Sequence, residues 1–280
     1  MPGTRRRAVR LVLLAITGVL ALAAPARPAP GAPGDVPPGY RLVWSDEFDV
    51  DGPPDPAKWS HDTVMNKAGW HNHERQYYAG PGAANAVVRG GRLRITARKE
   101  TPSSAADWGG QHYTSARLLT RGKAAWTYGY FEVRAKMPCG RGTWPAIWTL
   151  GDGTRWPDEG ELDIVEHLGR TPERVASAVH TAAGSGGSSV YGAQRLADAC
   201  TRFHRYQMLW TPDDVSFGVD GFVHLHYPRL AAAPAAWPFA APQFLLLNLA
   251  IGGDLGGEVD DAIFPVVFEI DYVRVYQRLK

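Results

Sequence analysis

Glu161-Leu162-Asp163-Ile164-Val165-Glu166-His167 decides how this chain is read. Three carboxylates fall within six residues, and Leu162, Ile164 and Val165 stand between them. Apolar and polar residues alternating at a period of two describe a strand with one buried face. Alternate side chains of a strand share a face, so Glu161 and Asp163 point the same way. Strict alternation would give that face Val165 and turn Glu166 away. One extra residue, a β-bulge, would return Glu166 to the side of the other two acids. Side by side, three anions repel, so at least one holds a proton near neutral pH. An ionised and a protonated carboxyl on one surface, about 5–5.5 Å apart, are the pair a retaining glycosidase uses. Acid-rich strands also occur as solvated faces, metal sites or acidic edges, and this heptapeptide alone leaves those readings open.

The pattern repeats outward from this strand. Residues 92–98 and 130–136 alternate cleanly, residues 40–44 open the series, and residues 268–276 close it. Residues 217–224 read as two strands joined at Asp220-Gly221, a hairpin signal. No helical stripe of any length interrupts them, while residues 71–85 and 185–201 read as loops. Many short strands without helices make an all-β sandwich or barrel, here a β-jelly roll of two antiparallel sheets with one concave face. Residues 39–280 are expected to form one domain, since neither repeats nor long linkers follow Gly39.

Composition narrows the function. The chain has 280 residues, 45% hydrophobic and 21% charged, which suits a folded domain. Ten Trp and eleven Tyr suit a carbohydrate cleft, although several must fill the core. Residues 1–26 read as a secretory signal: Arg5, Arg6, Arg7 and Arg10 precede an apolar run over 11–24, then small residues. The run is short for a membrane span, and the Arg triplet also fits the twin-arginine route. Residues 27–38 form a Pro/Ala-rich linker. Removing the four arginines takes the formal charge from +2 to −2, so nothing calls for nucleic acid. A secreted, extracellular monomer, free of the membrane once the signal is cut, is the expected form. In that setting Cys139 and Cys200 are expected to be bridged, two buried thiols being the other reading.

Seven blocks in order carry a family resemblance: Leu42-Val43-Trp44-Ser45-Asp46-Glu47-Phe48-Asp49, Asn72-His73-Glu74-Arg75-Gln76-Tyr77-Tyr78, Tyr113-Thr114-Ser115-Ala116-Arg117, Gly142-Thr143-Trp144-Pro145-Ala146-Ile147-Trp148, Gly160-Glu161-Leu162-Asp163-Ile164-Val165-Glu166, Leu247-Asn248-Leu249-Ala250-Ile251-Gly252-Gly253 and Asp271-Tyr272-Val273-Arg274-Val275-Tyr276. Over residues 42–277 the chain resembles glycoside hydrolase family 16, and within it the laminarinase-like endo-β-1,3-glucanases. The resemblance implies a concanavalin-like jelly roll with its cleft on the concave sheet. It implies Glu161 as nucleophile, Glu166 as general acid/base and Asp163 as the carboxylate between them. Members with this longer acid spacing have the bulge, whereas lichenase-type members have the shorter one. The function implied is endo-hydrolysis of β-1,3-glucan with retention. Mixed-linkage glucan, β-galactan, or glucan binding without catalysis are the alternatives.

Other residues follow from the same resemblance. Trp144 and Trp148, four apart and so on one strand face, would stack on sugar rings beside the cut bond; core packing is the competing reading. Trp156 stands between the same two roles. Arg117 and Asn72 would bond sugar hydroxyls, against an ion pair for Arg117 and a turn for Asn72. His180 would bond the acid/base region or the acceptor sugar, a satisfied sheet His being the other reading, and Asn248 would face the cleft or be a buried amide with partners of its own. No cofactor is required for catalysis. A structural calcium is implied at Glu47, the Gly91 carbonyl and Asp271, with ordinary surface acids as the other reading. His71 and His73 lack an evident third ligand, so zinc is not expected there.

Overall fold

The computed structural model describes residues 35–153, 155–230 and 234–279. The expected signal and residues 27–34 of the expected linker lie outside the described residues. Two antiparallel sheets make up the fold. One has seven strands in the order Val190–Arg195, Arg174–His180, Glu161–His167, Thr143–Gly151, Gln243–Ile251, Arg117–Leu119 and Ser60–His61. The other runs Phe222–Pro228, Asp214–Val219, His204–Trp210, Gly129–Lys136, Val266–Arg278, Leu93–Ala97 and Ala86–Val88, with Tyr40–Asp46 also paired to Val266–Arg278. Among the described residues the α-helical content is the four-residue Gly253–Gly256, and no helix is long and apolar enough to cross a membrane.

Alternation explains the layering. Leu93, Ile95 and Ala97 are fully buried, while Arg94 between them keeps part of its surface in water. Ile147, Leu162, Ile164, Leu245 and Leu247 from the seven-stranded sheet join Phe131, Val133, Met208, Phe217 and Phe268 from the other in one core. Burying each such side chain contributes about 1.5–3 kcal/mol. With one face of each sheet committed to that core, the opposite face of the seven-stranded sheet is left for polar chemistry. The hairpin forms at Asp220-Gly221, whose φ of 49° and 89° are the two positive values a two-residue turn of the I′ kind needs.

Two segments differ from the sequence reading. Residues 71–85 contain the short strand Gln76–Tyr78, parallel to Tyr113–Ser115, and residues 185–201 contain the edge strand Val190–Arg195. The edge strand has no buried face, so it shows no apolar alternation; its six ladder partners on Arg174–His180 define it instead. Cys139 and Cys200 are bridged, with their Cα atoms 5.7 Å apart across 61 residues of sequence. Closing a loop of that length removes unfolded-state entropy worth about 4 kcal/mol in the chain-entropy treatment.

Candidate active site

The acids are brought together by a change of register. Against Thr143–Gly151, Glu161 lies opposite Leu150, Asp163 opposite Trp148 and Glu166 opposite Ala146, with the shift between Asp163 and Val165. Positions 146, 148 and 150 share a face, so their partners do too. The other neighbouring strand repeats the result: Glu161, Asp163 and Glu166 pair with His180, Ala178 and Ala176. Val165 pairs with the fully buried Ile147 and is itself fully buried, so the extra residue goes into the core. A bulge leaves a backbone carbonyl without its ladder partner. Here Ser177 Oγ donates to the Ile164 carbonyl at 2.8 Å and also lies 2.9 Å from His224 Nε2. Because the hydroxyl proton goes to Ile164, His224 Nε2 must be the donor to Ser177 Oγ. Burial of His224 pushes its pKa down to about 4, which suits that neutral tautomer. Ser177 and His224 were not singled out in the sequence; the signal was a serine inside the apolar run Val175-Ala176-Ser177-Ala178-Val179.

Ser177→Ala is expected to leave the Ile164 carbonyl without this donor. The loss is about 1–3 kcal/mol of stability if no water replaces it. A thermal melt reads that loss, and a fall in kcat with little change in KM reads the misplacement of Glu166.

Each acid has a dedicated partner. Trp156 Nε1 donates to Glu161 Oε2 at 2.7 Å, and Trp144 Nε1 donates to Glu166 Oε1 at 2.9 Å. His180 Nδ1 accepts the Gly186 N–H at 3.0 Å, which leaves Nε2 as the N–H facing Asp163 Oδ2, 3.1 Å away. Asp163 is 4% exposed, whereas Glu161 and Glu166 stay partly open to the cleft. Burial is the largest cause raising the pKa of all three carboxyls. The charge of Asp163 raises Glu161 further, and that of Glu166 raises Asp163 further. Against this, the Trp156 hydrogen bond favours the ionised form of Glu161, and the Trp144 hydrogen bond that of Glu166. All three carboxyls therefore keep their protons above the ordinary carboxylate range, Glu161 and Asp163 well above it.

The other candidate residues sort into different roles. Trp144 is 7% exposed and Trp148 partly exposed, both on the face of the acids. Asn248 lies opposite Ala146 and so on the acids' face, and it is 5% exposed; its Oδ1 accepts from Trp148 Nε1 at 2.8 Å and its Nδ2 donates to the Tyr78 hydroxyl at 3.0 Å, the partners a buried amide needs. Tyr78 passes the chain on to the half-buried Glu74, 3.2 Å away. Arg117 forms the ion pair of its other reading. Its Nε pairs with Asp62 at 2.9 Å, and its guanidinium lies 4.8 Å from the centroid of the Trp148 ring and 5.1 Å from that of Trp70. Trp148 thus lies between Asn248 and Arg117, a meeting across strands that no local pattern encodes. Asn72 has the turn role, at φ 57° within His71–His73. Gly253 lets that turn come close, since a Cβ there would meet the Asn72 carbonyl at 2.6 Å.

The residues expected to hold calcium are engaged by arginines. Arg274 clamps Glu47 through two bonds of 3.0 and 2.8 Å, and Asp271 pairs with Arg134. Glu161, Asp163 and His180 do have the spacing of a metal-ligand set, with one donor atom of each within 4.8 Å of the others. Beside Glu166 a pocket of about 400 Å³ opens, walled by Arg170, Arg174, Tyr191 and Leu255 among others.

The chain and its fold are matched among known proteins. A β-glucanase from Rhodothermus marinus is 47% identical over 257 residues, 87% of each chain. The crystal structure of a laminarinase from the same organism superposes with a TM-score of 0.80 at 46% identity, covering 86% of this chain and 98% of that one. A glutamate-to-serine variant of SCLam, a non-specific endo-β-1,3(4)-glucanase with a 1,3-β-D-cellobiosyl-glucose at its active site, superposes with a TM-score of 0.86 at 45% identity, covering 90% of this chain and all of that one. The family model for glycosyl hydrolases family 16 matches residues 73–273, and with these relatives it shows that the chain belongs to that family.

Proposed function

We propose that the protein is an endo-β-1,3(4)-glucanase that cuts laminarin-like glucan with retention of anomeric configuration. The observation that carries this reading is the bulge, which sets Glu161, Asp163 and Glu166 on one face. Glu161 attacks the anomeric carbon as its glycosidic C–O bond breaks, and Glu166 gives its proton to the departing oxygen. Glu166, now ionised, takes a proton from water, and the resulting hydroxide character attacks the same carbon and releases Glu161. Trp156 and His180 hold Glu161 and Asp163 in orientation through these steps. Trp148, seated by Asn248 and Arg117, offers an apolar ring face for a sugar. Residues 1–26 fit export, which brings the enzyme to polymeric substrate outside the cell. The test is release of reducing ends from laminarin, with the anomer formed first read by NMR. A β product is expected; an α product would rule out retention.

A calcium does not fit Glu47 and Asp271 as the structure has them, because guanidinium groups already neutralise those carboxylates. The Arg274 hydrogen bond holds Glu47 below the usual carboxylate range, and no step is assigned to a metal. Chelation with EDTA is therefore expected to shift Tm by less than about 1 °C, since the guanidinium partners of Glu47 and Asp271 are untouched by a chelator.

A further inference from the structure

We infer that the leaving-group side of the cleft carries a subsite for an anionic substituent on the glucan, a carboxylate or a sulfate ester, built from Arg170, Arg174 and Tyr191. The inference rests on Glu166 being the proton donor. The pocket shares a wall with Glu166, and neither Glu161 nor Trp156 lines it. A cavity that touches the proton donor and not the nucleophile lies where the departing sugar sits.

Its charge is unbalanced. Arg170 and Arg174 line it, and among the described residues neither forms an ion pair with a carboxylate. The contrast with the next strand is direct. Arg195 lies opposite Arg174 in the ladder, and Arg195 takes both bonds to Glu173. Arg174 instead lies 5.6 Å from the centroid of the Tyr191 ring, which also lines the pocket. Glu166 is the one acid in the lining, and it is protonated when the leaving group is in place. At that moment the pocket holds two positive charges and no negative one.

A neutral sugar hydroxyl both donates and accepts, whereas guanidinium offers donors only. A carboxylate or sulfate offers acceptors only, and it meets Arg with two parallel bonds. The volume of about 400 Å³ falls in the range of small-ligand pockets.

The test measures binding rather than turnover, so that it does not depend on the catalytic reading. Three probes are titrated into Glu161→Gln protein by calorimetry: laminaritetraose, the same sugar oxidised to a carboxylate at C6, and the same sugar sulfated at C6. At low salt at least one anionic probe is expected to bind about tenfold more tightly than the neutral one, and the advantage should shrink toward parity in about 0.5 M NaCl. The two anionic arms tell which group the site prefers. Adding Arg170→Gln or Arg174→Gln is expected to remove most of the advantage, and Arg170→Lys to keep part of it. Equal affinity for all three probes, or an advantage that survives both Arg→Gln changes together, overturns the proposal. Hydrolysis of neutral laminarin by the native enzyme is measured alongside; its failure would sink the catalytic reading while the binding result still decides this one.

Discussion

Glu161→Gln is expected to fold and to cut laminarin on the order of 10⁴–10⁶ times more slowly than the native enzyme, the range for removing a covalent nucleophile. The amide is nearly isosteric and still accepts from Trp156 Nε1, so the cleft keeps its shape. What it lacks is a charge able to displace the leaving oxygen. The same change should make the protein more stable at neutral pH. Burial and the neighbouring Asp163 raise the Glu161 pKa in the folded state above its unfolded value. Between those two values the folded state binds the extra proton, so stability falls as pH rises through that window and the full cost is present above it. The Gln variant never bears that cost. Its Tm should therefore exceed the native value above the raised pKa, and the gain should vanish once pH drops below the ordinary carboxylate range. Native-like laminarin activity in the purified variant would remove Glu161 from the mechanism.

Glu166→Gln should behave differently, and the difference identifies the proton donor. On laminarin the expected loss is about 10²–10⁴-fold, the usual worth of general acid–base help. A substrate with an activated aryl leaving group needs no proton, so formation of the glycosyl-enzyme should recover with it. The deglycosylation step still lacks its base, and added azide, which needs none, should restore turnover and give a β-glycosyl azide. Burial raises the Glu166 pKa, so the alkaline limb of kcat/KM on laminarin should lie above the ordinary carboxylate range. That limb records loss of the Glu166 proton, and the variant should lack it on the aryl substrate. A variant that hydrolyses laminarin at the native rate with the limb intact would place the donor elsewhere.

The sequence carried the strand-rich fold and the position of the acids because both are local. Alternation over residues 93–97 or 130–136 is visible within one strand, and the acids lie within six residues of one another. The supporting groups are non-local. Asn248 meets Trp148 across 100 residues, and Ser177 meets His224 across 47, through strand neighbours that only the folded sheet defines. For the same reason the contacts of Asn248 and Arg117 with Trp148 are not legible in any local stretch. The exposed edge strand Val190–Arg195 escaped notice because pairing, not burial, creates it.

Tyr40 and Arg278 are ladder neighbours in the sheet that lacks the acids, so both ends of the described fold emerge side by side. A few residues of linker would join them, and new termini could open at the Asp220-Gly221 turn. Such a circular permutant would keep every pairing of the acid-bearing sheet, and a passenger fused beyond residue 279 would follow an interior strand of the other sheet without sharing a strand with the cleft.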